Sequence, residues 1–166
     1  MNNIKERITQ ALHRFPAELV ATLRPPAAPG DLNTLEQALG IVLPPALREA
    51  LLCHDGQSVA DPEMFGDYWW LSAKGMLSEW RVEQDLLESG AFDELNLGDL
   101  GDAVRQDWWN AKWIPFARSG SGDLLCVDMQ PGRIGKEGQV ITVYQEDETR
   151  PALADDFVAY LESLST

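Results

Sequence analysis

Cys53, His54 and Asp55 stand side by side, and residues of these three types can do nucleophilic, proton-transfer or metal chemistry. Nucleophilic catalysis needs a base held beside the nucleophile. Zinc needs three or four ligands at a spacing that lets them converge. Neighbouring residues on a helix point in different directions, so Cys53 and His54 do not meet at one ion. Cys126 lies far along the chain between Leu125 and Val127, and both cysteines read as small apolar side chains in a reducing compartment. No Ser or Cys signature surrounds His54, whose place at a helix end suits the dipole there. His13 falls on the polar side of an amphipathic helix. No alternating Asp loop of the calcium-binding kind occurs.

Two glycine-rich stretches invite a phosphate reading. Gly120-Ser121-Gly122 lacks a third glycine. Gly132-Arg133-Ile134-Gly135-Lys136-Glu137-Gly138 has Glu137 where a P-loop needs Ser or Thr. A strand follows each, so neither has a helix N-terminus to hold an anion. Both are expected to be hairpin turns. The acidic runs Asp155-Asp156 and Glu146-Asp147-Glu148 read as solvated faces, the first also suiting a helix N-terminus. The sequence therefore predicts no catalytic residue, no metal and no cofactor, hence no enzyme.

Charge and tryptophan are more informative. The 166 residues carry a net charge of −14 and a pI near 4.4. Residues 55–110 alone hold thirteen acids and three bases, net −10, whereas residues 1–54 are neutral. A nucleic-acid binder must neutralise phosphates with Lys and Arg, so this balance argues against one. It argues equally against binding an anionic membrane surface. No apolar run approaches a membrane span, and no apolar stretch follows the first basic residues, so a cytoplasmic location is expected. All six tryptophans, at 69, 70, 80, 108, 109 and 113, fall within one 45-residue stretch. Adjacent pairs cannot both face one side, so one ring of Trp69-Trp70 and one of Trp108-Trp109 should face outward, with Trp80 and Trp113 in the core. Solubility and an interface for a basic partner both account for the acid. An amphipathic cover for a sheet and a protein-binding anchor both account for the outward rings.

The elements that position these residues begin with helices. Ile4, Ile8, Ala11, Leu12, Phe15, Leu19 and Leu23 recur at helical spacing, with Asn2 or Asn3 as cap and a break or restart at Pro16. A stiff Pro25-Pro26-Ala27-Ala28-Pro29-Gly30 connector follows. Asp31 starts a helix ended by Gly40, and Pro44-Pro45 opens another, stopped by Gly56. Tyr68-Trp69-Trp70-Leu71 reads as a strand, and Ser78-Glu79 as the start of a helix bearing Trp80, Leu86 and Leu87. Residues 89–102 lack period and read as a loop, and 103–111 as one or two helical turns. Trp113-Ile114-Pro115-Phe116-Ala117 is an edge or bulged strand because of its proline. Strands over 124–129 and 139–144 follow, joined by hairpins, and Pro151 opens a last helix with Leu153 facing inward. The predicted fold is α+β: a mainly antiparallel sheet packed against several helices in a single domain, 1–26 forming a helical extension and 31–166 the core.

Leu39-Gly40, Leu43-Pro44, Leu47, Leu51 and His54-Asp55-Gly56-Gln57, read in order, resemble the front half of the SUKH superfamily. Trp113-Ile114-Pro115, Gly122-Asp123, Leu125-Cys126-Val127-Asp128, Pro131, Gly135, Gly138-Gln139-Val140-Ile141 and Leu153-Ala154 with Phe157 and Leu161 are similar to its back half. Residues 4–26 resemble a bacterial branch with a longer N-terminal helix. That group contains the yeast cell-wall assembly and glucan-synthesis regulators and many bacterial toxin-immunity proteins. The resemblance implies a binding protein with no shared catalytic residues.

The expected function is thus protein binding, first as an immunity protein neutralising a basic toxin domain, alternatively as a cell-wall regulatory scaffold. The expected contact face uses Asp55, Gln57, Asp61, Glu63, Asp67, Trp69, Glu79 and Asp123.

Overall fold

Five strands form one antiparallel meander: β1 (Tyr68–Trp70), β2 (Trp113–Ser119), β3 (Leu124–Asp128), β4 (Gln139–Val143) and β5 (Ala152–Ala154), paired in chain order. The structure is a computed structural model that describes residues 3–95 and 101–164. The expected loop at 89–102 therefore lies partly outside the described residues, as does Asn2. Within it, Phe92 is buried.

β3 and β4 are buried at every position. Runs as apolar as Leu-Leu-Cys-Val are stable only where both faces of the sheet are covered. On one face, Phe116, Leu125, Val127 and Val140 share a core with four helices: α1 (Ile4–His13), α3 (Pro29–Leu39), α4 (Pro45–Cys53) and α6 (Phe157–Leu164). Ile8, Ala11 and Leu12 of α1 belong to that core, so the N-terminal helix is built into it. On the other face, Trp113, Leu124, Cys126, Ile141 and Val143 pack with Phe92 and Trp109. The long α5 (Ala73–Glu88) serves both layers: Ala73 and Met76 join the first, while Trp80 and Leu87 lie against the second. The α+β expectation holds.

Local details follow from sequence. Asn3 accepts from the Glu6 amide and caps α1. Pro16 immediately precedes the short α2 (Ala17–Val20). Gly40 ends α3 in the left-handed region at φ 70°. Pro115 sits in an interior strand because the β2–β3 register shifts between Pro115 and Ala117. At that bulge its missing N–H costs no ladder bond, and Phe116 and Ala117 both reach the helical core.

Several expectations are corrected. α5 starts at Ala73 rather than Ser78, because the Ser72 hydroxyl accepts from the Gly75 amide and caps it. Residues 103–111 form no helix; backbone and side-chain bonds to the β3–β4 loop hold them irregular. Pro151 does not open the last helix. Its carbonyl accepts from Thr142 N, 3.1 Å away, which draws 152–154 onto the sheet as β5 and leaves Leu153 46% exposed. α6 begins at Phe157, where the Asp156 carboxylate accepts from Ala159 N.

Candidate partner-binding surface

The segment His54-Asp55-Gly56-Gln57 is a structural knot. α4 ends at His54, whose backbone is already extended and whose Nδ1 lies 2.8 Å from the Arg24 carbonyl. Gly56, expected as a helix stop, is demanded instead by a close approach at φ 71°: a Cβ there would lie 2.6 Å from the Leu71 carbonyl carbon. Asp55 Oδ1 accepts from Ala73 N at 2.8 Å, helping to satisfy the first turn of α5. Gln57 does most. Its Oε1 accepts from Trp70 N (2.8 Å) and Met64 N (3.2 Å), and its Nε2 donates to Thr22 Oγ1 and the Pro62 carbonyl. Its own amide donates to the Trp70 carbonyl. Phe65 and Tyr68 exchange both backbone bonds beside it. The outer edge of β1 is thereby fully paired within the chain.

Asp55 and Gln57 were expected on the contact face, and the structure gives each a structural task. Gln57 is 7% exposed with its whole amide engaged, and the Asp55 carboxylate serves the α5 terminus. The remaining residues gather around the β1 end. Asp61 and Asp67 are exposed and Glu63 half-buried on the loop that Gln57 anchors. Trp69 lies opposite Arg118 in the β1–β2 register, and the Arg118 guanidinium sits 5.6 Å over its ring. Glu79 of α5 pairs with Arg118 at 3.2 Å. Asp123 holds its turn, accepting from Gln145 N and Ser121 Oγ. Burial, then the nearby Asp123 charge, pushes the Tyr68 phenol up to about 12. The result is an acidic, aromatic surface on which Arg118 is already engaged.

The alternation argument holds for both tryptophan pairs: Trp70 and Trp109 are fully buried, Trp69 and Trp108 partly exposed. Trp113 is buried, and Trp80 is half-buried with its indole N–H donating to the Ala111 carbonyl.

A second region was not foreseen. Residues 102–108 and 148–152 wall a cleft of about 600 Å³. Arg150 organises it. Nη1 donates to the Asp147 and Thr149 carbonyls and Nη2 to the Trp108 carbonyl, while the guanidinium lies 4.9 Å over the Trp108 ring. Burial lowers the Arg150 pKa, and it is only 8% exposed. The half-buried Trp108 was signalled by its doublet, but nothing in sequence linked it to an arginine 42 positions away.

Deeper in this layer, Glu83 of α5 is buried and accepts from Gln145 Nε2. Desolvation raises its pKa. Asp128, buried in β3, is raised for the same reason despite donors from Gln139 and Gln130. Burial likewise raises the Cys126 thiol. Among the described residues, no group of three or more His, Cys, Asp or Glu is placed to hold a metal ion, and no helix is long and apolar enough to cross a membrane.

A family model described as the SMI1 / KNR4 family (SUKH-1) matches residues 26–163. A KNR4/SMI1 homolog of Yarrowia lipolytica is 25% identical, the match covering 94% of this chain and 29% of that protein. The cell wall biosynthesis/cell cycle regulator smi1 of Schizosaccharomyces pombe is 29% identical over 87% of this chain and 31% of its own length. The cell wall assembly regulator SMI1 of Saccharomyces cerevisiae is 24% identical over 89% and 36% respectively. The chain thus spans about a third of the length of these curated relatives.

Proposed function

The chain belongs to the SMI1/KNR4 family (SUKH-1), and from that premise we propose that it is a non-catalytic, protein-binding regulatory module of the cell-wall-regulator kind. The observation that carries this reading is the match of residues 26–163 to one folded unit that recurs inside much longer regulators of cell-wall assembly and biosynthesis. The names of these relatives favour a regulatory scaffold over the neutralisation of a toxin, which none of them mentions.

The contact face is the β1 end. Asp61, Glu63 and Asp67 supply charge on a loop that Gln57 holds in place, and Trp69 supplies a ring at the centre. Complementary charge speeds association and selects a basic partner, while a half-exposed tryptophan contributes the anchoring area.

Affinity capture from native extract, quantified by mass spectrometry, tests the reading. Several recurrent partners connected with wall synthesis are expected, and joint Asp61→Lys, Glu63→Lys and Asp67→Lys should deplete them at least about tenfold. Capture of one secreted toxin alone would reinstate the neutralising reading. Capture of nothing above background would end the binding reading altogether.

A further inference from the structure

A scaffold joins at least two partners, and the β1 end is one surface. The cleft walled by residues 102–108 and 148–152 has the properties of a second. Its volume of about 600 Å³ lies in the range of ligand-binding clefts. Its lining includes the apolar groups of Trp108, Val104, Pro151 and Ala152. Its own cations are committed inward: Arg150 to three backbone carbonyls and the Trp108 ring, Arg105 to Asp107 at 2.9 Å. Its exposed rim is acidic. Glu148 stands on one wall and Asp102 on the other, the latter 83% exposed and bridged only loosely to Arg133 at 3.4 Å. Glu146, Asp147 and Glu148 are all exposed; Glu148 lines this cleft, and the adjoining Glu146 and Asp147 line a second depression of about 350 Å³ with Ser121, Asp123 and Tyr144.

We propose that this cleft receives a basic polypeptide segment of a partner protein, an apolar side chain seated against Trp108 and Pro151 and flanking Lys or Arg against Glu148, Asp102 and the 146–148 ridge. The charge balance selects this occupant. An acidic segment would meet carboxylates on both walls, and the arginines that would answer it are already bonded within the fold. A purely apolar segment would leave the rim carboxylates facing its flanks. The inference rests on the protein-binding reading but uses a different surface from the β1 end.

The test is selection of short random peptides displayed against the whole chain, followed by affinity measurement on the selected synthetic peptides. The expected winners carry an apolar residue flanked by Lys or Arg. Their affinity falls at least about tenfold in Trp108→Ala. It falls comparably in Glu146→Lys with Glu148→Lys, a pair of exposed changes that leaves the fold intact by circular dichroism. Raising salt from about 50 to about 300 mM weakens binding, and the Asp61→Lys, Glu63→Lys, Asp67→Lys variant binds the peptides as the parent does. Winners that are acidic, or that ignore the Glu146 and Glu148 changes, overturn the proposal, as does a selection that yields no binder. If binding is lost instead in the Asp61, Glu63 and Asp67 variant, the protein-binding reading stands and the cleft assignment falls.

Discussion

Trp69 and Trp108 each lie beneath an arginine, yet the two arginines are held differently. Arg118, over Trp69, has a side chain 36% exposed, and Glu79 is its charge partner. Arg150, over Trp108, is 8% exposed and donates to three backbone carbonyls, two of them on its own loop and one 42 residues away. A solvated ion pair contributes little, because water competes for both charges. A buried guanidinium whose two terminal nitrogens donate to carbonyls of two chain segments holds those segments in register. At the β1 end the corresponding clamp is Gln57, a neutral side chain. So one surface is shaped by an uncharged amide and topped by a half-buried arginine, while the other is shaped by the arginine itself.

This contrast can be broken at several points. Arg150→Ala should have the largest effect, a loss of about 3 kcal/mol in urea unfolding, since it removes three charge-assisted hydrogen bonds and the cover over the Trp108 ring. A loss no greater than that of Arg118→Ala would abolish the distinction. Gln57→Ala should cost about 2 kcal/mol by leaving the buried amides of Met64 and Trp70 without an acceptor. Faster hydrogen exchange at these two amides is the specific readout. Arg118→Ala should cost less than about 1 kcal/mol, and salt should shrink the difference further. The smallest effect belongs to Glu83. Its pKa is raised in the folded state, so folding favours the protonated form. The stability it contributes is present below the ordinary carboxylate range and is lost as pH rises through the folded value. Glu83→Gln keeps an acceptor for Gln145, so its Tm should match the parent near pH 4 and exceed it increasingly toward pH 8.

The sheet was legible wherever apolar runs met turn signals, as at Leu124, Val127, Val140 and Ile141. The Trp69-Trp70 doublet disclosed one inward and one outward ring because successive strand side chains point to opposite faces, whereas Trp108-Trp109 divides the same way in an irregular segment. Ala152-Leu153-Ala154 was misread because Pro151 suits a helix start as well as a strand approach, and only the pairing with β4 decides. Ser72 was missed as a cap because the apolar Trp70-Leu71 run hides the boundary before it. Asp55 and Gln57 looked like contact residues because acid and amide are usually solvated. Several of their partners, at Ala73, Trp70 and Thr22, are 13 to 35 positions away, a distance that local pattern does not span. The same blindness hid the Arg150 cleft, whose walls come from two distant segments.

The pairing of β1 with Gln57 and Phe65 has a consequence for crowding. An open strand edge is a template on which another chain can add, and it is where misassembly begins. Here that template is occupied from within, by a side-chain amide and a tight turn that no neighbouring copy can supply more cheaply. At the other end, β5 is three residues long and bulged against β4, and Asp155 and Asp156 follow it. Such a sheet stays finite. A unit of this kind can be carried in long, concentrated polypeptides without joining its copies into fibres.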